Sequence, residues 1–252
     1  MTDGAMTNGA MTNGTMTNGE TTTGAMAGLI GFNLSLGGKT VLRDITLRPE
    51  AGQLLALCGP NGAGKTSILR AMAGLVGNQP MPDPRRVAYL AQNAPPAWAM
   101  TVAQVAALGR IPHGDQAAAP VEKALRLCGV EALRDLPVDR ISGGEARRAL
   151  LARVFATDPR VMLLDEPTAD LDPAASHAIL RLLRDTAEAG ATVIVVLHAL
   201  ELAADYAHRV VLVDHGRIAA DLAVMNSDQV LTAAAGVFGM RAAIGPRLVP
   251  RA

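Results

Sequence analysis

Three short stretches of this chain hold residues whose types and spacing suit chemistry on phosphates. The first, Gly59-Pro60-Asn61-Gly62-Ala63-Gly64-Lys65-Thr66, fits the pattern of a phosphate-binding loop and leads into a helical pattern from Ser67 to Ala73. Its glycines let backbone N–H groups turn inward around an anion, and the following helix offers that anion its positive end. In such a loop Lys65 reaches the β- and γ-phosphates and the Thr66 hydroxyl faces a magnesium ion, so the expected nucleotide-binding set runs from Gly59 through Ser67. The chain has only three lysines, which makes a chance match to this pattern rare. The second stretch is the apolar run Val161-Met162-Leu163-Leu164, ending in Asp165 and Glu166. Alone, two carboxylates after a strand make a solvated turn. Beside a phosphate loop, Asp165 is placed to hold the magnesium shell through water, and Glu166 to orient and polarise an attacking water. The third is Ile141-Ser142-Gly143-Gly144-Glu145, which opens a helix running through Ala149, Leu150 and Val154. Its serine and two glycines expose N–H groups at a positive helix end, a second anion site.

These groups need a scaffold that brings strand ends together. Short apolar runs alternate with longer helical ones, which predicts a mainly parallel sheet covered by helices. Gln53 to Cys58, Val161 to Leu164 and Thr192 to Leu197 are near-continuous apolar runs, as central parallel strands require. Val210 to Val213 and Ile218 flank Asp214-His215-Gly216-Arg217, which predicts a hairpin near the sheet edge. Between residues 93 and 155 the pattern is helical throughout, a subdomain inserted into the α/β core. Residues 1–24 are built on a five-residue repeat containing Met-Thr-Asn-Gly that cannot bury enough apolar surface to order itself, and residues 1–26 are expected to form a disordered tail. One folded unit, about 27–245, is expected to follow.

Composition excludes several classes. No apolar run approaches the roughly eighteen residues of a membrane span, since even Thr192 to Leu197 stops at His198. Acidic and basic residues balance at 23 each, so no field favours nucleic acid as a partner. Cys58 and Cys128 lie far apart outside any metal-ligand spacing and are expected to be reduced packing residues. The first thirty residues lack the basic start and apolar core of a secretory signal.

One fold hardly needs two cradles for the phosphates of one nucleotide. The order of motifs resolves this, because phosphate loop, Ile141 to Glu145 and Asp165-Glu166 together resemble the ABC ATPase family. The resemblance covers about residues 28 to 240. It implies a P-loop NTPase (RecA-like) α/β core with a parallel central sheet, an inserted helical subdomain and an N-terminal antiparallel β part. By that resemblance Ser142, Gly143, Gly144 and Glu145 bind the γ-phosphate of ATP held by an opposite subunit, so that two chains sandwich two nucleotides. Three further positions fit in order: Gln92 would sense magnesium and the attacking water, Asp172 would belong to the loop crossing the dimer interface, and His198 would contact the γ-phosphate. Catalysis would then fall to Glu166, His198 and Gln92, and metal binding to Thr66, Gln92 and Asp165.

The chain also departs from the family. Where an aromatic usually stacks on adenine, Ser35-Leu36-Gly37-Gly38-Lys39 places Leu36, which predicts weaker base discrimination unless Phe32 substitutes from a nearby turn. The signature ends in Glu145 where glutamine is commoner and begins with Ile141 where leucine is commoner. The span from Gly74 to Gln92 is short, which implies a trimmed strand or hairpin on the adenine side. Asn93 to Val102 with Trp98, the stretch Val105 to His113, and Leu231 to Ala242 with Val237-Phe238-Gly239-Met240 resemble importers of iron chelates, haem and cobalamin. The resemblance thus implies an ATP- and magnesium-dependent transport ATPase, homodimeric, on the cytoplasmic face of the plasma membrane. Its partners would be integral permease subunits and, indirectly, a solute-binding protein. An exporter cassette, or a soluble ABC ATPase without a membrane partner, is the alternative.

Overall fold

The computed structural model describes residues 28–92, 100–224 and 226–239. The expected tail, the segment with Trp98, Met240 and the expected boundary near 245 lie outside the described residues. The chain opens with an antiparallel pair, β1 (Leu29–Leu36) and β2 (Lys39–Leu47), joined by a Gly37-Gly38 turn. The central sheet follows from β3 (Leu54–Cys58), β4 (Val87–Leu90), β5 (Val161–Asp165), β6 (Thr192–Val196), β7 (Arg209–Asp214) and β8 (Arg217–Ala223). Its strand order is β4-β5-β6-β3-β7-β8, with all neighbours parallel except the terminal β7-β8 hairpin.

Strands β3, β5 and β6 are buried at every position, which explains their unbroken apolar runs. Alternation along β3 divides the core in two. Leu55 and Leu57 pack with β1, β2 and α1 (Lys65–Met72), whereas Leu54, Ala56 and Cys58 pack toward α5 (Pro173–Glu188), α6 (Leu200–Tyr206) and the helical layer. That layer comprises α2 (Val102–Ala107), α3 (Ala118–Leu127) and α4 (Gly143–Ala156), linked by short 3-10 turns. The final element, α7 (Ser227–Phe238), packs on α6. Among the described residues no strand lies between α1 and β4, and no helix is long and apolar enough to cross a membrane.

The two cysteines are buried and free, and burial pushes both thiols up to about 12. They are chemically quiet core residues. Phe32 corrects an expectation: it lies within β1, 8% exposed, against Gly77, and is not free to stack on a base.

Candidate active site at the carboxyl edge of the sheet

In a parallel sheet the carboxyl ends of the strands open onto the crevice where ligands bind. Here β3 ends in the loop Gly59–Gly64, β5 in Asp165 and Glu166, β6 leads to His198, and β4 to Gln92. Because β3 and β5 both neighbour β6, these termini converge. Gly59 must be glycine: its φ is +153°, and a Cβ there would stand 2.0 Å from the Val213 carbonyl oxygen. Gly64 caps α1 at φ +106° with no side-chain cap, so α1 starts at Lys65, two residues earlier than the sequence pattern suggests.

Lys65 folds back over the loop, its Nζ donating to the Gly59 and Pro60 carbonyls at 2.8 and 2.9 Å. Burial lowers its pKa, opposed by the carboxylates of Glu166 and Asp165. Thr66 Oγ1 donates to Asp165 Oδ1 at 3.2 Å. Asp165 is fully buried, which raises its pKa, and among the described residues its Oδ2 has no hydrogen-bond partner. A buried carboxylate oxygen left without a donor, beside a threonine hydroxyl, is a hard oxygen pair suited to magnesium. Among the described residues no three His, Cys, Asp or Glu side chains gather to cage a metal. A cation held here would therefore complete its shell with substrate phosphates and water.

Glu166 has φ +51°, an uncommon backbone conformation for a side chain of its size. Its carboxylate is only 16% exposed and accepts a hydrogen bond from His198 Nε2–H at 2.6 Å. A cavity of about 590 Å3 is lined by Asn61, Gly62, Gly64, Lys65, Thr66, Ser67, Gln92, Glu166 and His198. Val41 on β2 joins them, whereas Leu36, 45% exposed at the end of β1, does not. Val41 carries no chemistry of its own, and only the fold of the β1-β2 hairpin brings it to the cavity.

The third motif stands apart. Ser142 to Glu145 do not line this cavity, and Gly143 and Gly144 instead approach Asp170 and Leu171 of the loop after β5. The tip of α4 is also less open than its sequence suggests. Glu145 accepts from the Ser142 N–H at 2.8 Å and from its hydroxyl at 2.7 Å, while the Glu145 N–H donates to Ser142 Oγ at 3.3 Å. This capping box occupies Ser142 donors that the serine-glycine pattern predicts to be free for a phosphate. Asp172 caps α5, accepting from the Ala175 N–H at 2.9 Å.

Arg147, which belongs to none of the three motifs, lies on the buried face of α4 at 5% exposure. Its only sequence signal is a charged residue at helical spacing from Leu150 and Leu151, which are buried.

Comparison with known proteins agrees with this geometry. The family described as "ABC transporter" matches residues 42–169. A hemin import ATP-binding protein from Rhodococcus jostii is 39% identical over 211 residues, covering 76% of this chain and 72% of that protein. One from Pseudomonas entomophila is 38% identical over 241 residues, covering 86% and 93%. The fold matches a solved ATP-binding subunit of an ABC transporter with TM-score 0.71, 24% identity, and 86% and 94% of the two chains aligned. It also matches an ATP-binding cassette solved as a dimer with ADP and Pi, at TM-score 0.68, 21% identity, and 77% and 96% aligned.

Proposed function

The chain belongs to the ABC transporter family of ATPases, and we propose that it is the ATP-hydrolysing subunit of an importer whose cargo is haem or a related iron chelate or cobalamin. ATP binding and hydrolysis follow from the family itself. The cargo rests on relatives that align along most of both chains and are described as hemin import proteins. The observation that carries the chemistry is the meeting of a phosphate loop and the Glu166 carboxylate in one crevice, with the buried Asp165 carboxylate bonded to Thr66 of its lining and one Asp165 oxygen left orphaned among the described residues.

In this reading Lys65 exchanges the Gly59 and Pro60 carbonyls for phosphate oxygens. Thr66, Asp165 and Gln92 would hold magnesium, which would supply positive charge against the transferring phosphoryl group. Glu166 leaves His198 and accepts a hydrogen bond from water. The water oxygen bonds to the γ-phosphorus and its proton passes to the carboxylate. The bond to the β-phosphate oxygen breaks, and ADP leaves with its electron pair. His198, released from Glu166, faces the γ-phosphate. Ser142, Gly143, Gly144 and Glu145 of a second copy approach that same phosphate, with the Asp172 loop at the interface. Two nucleotides thus close a homodimer, closure pulls on permease subunits at the cytoplasmic face of the plasma membrane, and hydrolysis lets the pair part. A solute-binding protein on the far side delivers the cargo. With Leu36 exposed and Phe32 buried, the base meets plain apolar contact and is weakly discriminated.

Replacing Glu166→Gln tests the chemistry. The variant is expected to bind ATP and accumulate as a dimer while turnover falls by about 100-fold or more; unchanged turnover refutes the role. Copurification with membrane subunits, followed by ATPase assay with haem, cobalamin and iron chelates, tests the cargo. Stimulation by haem supports it, whereas a complex without membrane subunits replaces the transport reading.

A further inference from the structure

We propose that Arg147 is a positioning residue for hydrolysis, setting the backbone that carries Glu166 and Gln92 according to where the tip of helix α4 stands. The proposal rests on the role given to Glu166 above.

Arg147 lies in the second turn of α4, whose tip is Ser142 to Glu145. Among the described residues its guanidinium bonds only main-chain carbonyls, in two pairs. Nη1 donates to Ala91 and Gln92, each at 3.1 Å, and Nη2 donates to Asp165 and Glu166, each at 2.5 Å. The place it grips is specific. The β4-β5 ladder pairs Val87 with Val161 through Leu90 with Leu164 and then ends. Arg147 takes over at the next residues on both strands, where β4 gives way to Gln92 and β5 to Glu166. One planar fork from the helical layer therefore fixes the two strand ends that present the water-facing side chains.

Core support alone accounts poorly for this arrangement. A buried cation is costly, and an apolar side chain would fill a helix-sheet contact without that cost. Among the described residues Arg147 bears the cost with no carboxylate bonded to it and with its Nε left without a partner. Burial lowers its pKa, opposed by the charges of Asp165, Glu166 and Asp170. What the guanidinium holds is a strained residue, Glu166 at φ +51°. Without a donor at its carbonyl that backbone is free to relax, and the carboxylate moves with it. A misplacement of about 1 Å costs on the order of 100-fold in rate. The same link makes the position of Glu166 depend on α4, and so on what its tip binds.

The test uses the full chain carrying Arg147→Lys, which keeps the charge but cannot span both carbonyl pairs, and Arg147→Gln, which keeps a donor without charge. Both are expected to lose at least about tenfold in kcat, with KM and the Kd for a fluorescent ATP analogue within about threefold of wild type. In a Glu166→Gln background, ATP-driven dimerisation is expected to persist in both. The proposal is overturned by kcat within about twofold of wild type in Arg147→Lys, by kcat and ATP affinity falling together, or by failure of both variants to fold, each of which assigns Arg147 to core support. A wild-type chain inactive even with its membrane partners sinks the reading of Glu166 first; active wild type with unimpaired Arg147 variants sinks this proposal alone.

Discussion

At the scale of single residues, the candidate site's charged side chains are bonded to groups of the same chain. Lys65 is folded onto its own loop, Glu166 is bonded to His198, and Glu145 is bonded to Ser142. The last pairing has a measurable consequence. Hydrogen bonds from the Ser142 hydroxyl and N–H hold the Glu145 carboxyl below its ordinary range, so it is ionised at neutral pH. In the proposed dimer, an incoming γ-phosphate must displace an anion and then sit beside it. Glu145→Gln keeps an oxygen that can accept from Ser142 but removes the charge. In the hydrolysis-deficient Glu166→Gln background, it is expected to lower the ATP concentration for half-maximal dimerisation by about threefold to tenfold, read by light scattering. An unchanged or higher concentration argues that the carboxylate swings clear at no cost.

At the scale of elements, the helical layer is pinned by a second buried arginine. Arg110, 8% exposed in the 3-10 turn after α2, donates to the Ala156 carbonyl of α4 at 3.0 Å and grips Asp115 through Nε and Nη2 at 2.9 and 2.6 Å. The Arg110 side chain first, and the Ala117 N–H second, lower the Asp115 pKa from 3.8 to about 2. Because the folded-state pKa is the depressed one, the stabilisation is complete above about pH 5 and drains away as pH falls through 3.8 toward 2. Asp115→Asn is therefore expected to lower the urea midpoint at pH 7, and the gap from wild type should close as the titration approaches pH 2. A gap that stays constant with pH contradicts an ionic origin. Periodicity made much of this scale readable in advance. The apolar runs at β3, β5 and β6 and the β7-β8 hairpin stand where their patterns place them, because strands buried on both faces leave an unbroken apolar signature. Arg147, Val41 and the Arg110–Asp115 grip were not readable. Arg147 and Val41 act through packing between segments distant in the chain, and the grip pairs two charges of ordinary surface type. The burial of Phe32 was missed for the same reason, since the register of β1 against β2, with its shifts near Phe32, decides which way that ring faces.

At the scale of the whole molecule, the two stretches proposed to bind phosphate stand on different parts of one chain and do not share a cavity. The phosphate loop lies at the carboxyl edge of the sheet, while Ser142 to Glu145 cap a helix of the other layer, against the loop after β5. If both ends serve one nucleotide, a second copy must supply one of them, which a two-fold dimer does reciprocally. Mixing two inactive chains separates this arrangement from a self-sufficient monomer. A chain with Lys65→Ala lacks a working cradle but keeps its helix tip; a chain with Ser142→Arg keeps the cradle and loses the tip. Either homodimer is expected to be inactive. In a mixed dimer, one composite site inherits both defects, and the other joins an intact cradle to an intact tip. If each composite site turns over independently, an equimolar mixture is expected to regain about a quarter of the wild-type rate, since about half the dimers are mixed and each has one intact site. Recovery should also rise with total protein concentration, because it depends on association. A Ser142→Arg chain that hydrolyses ATP at the wild-type rate alone would show that the helix tip does not serve the nucleotide, and the case for pairing through it would fall.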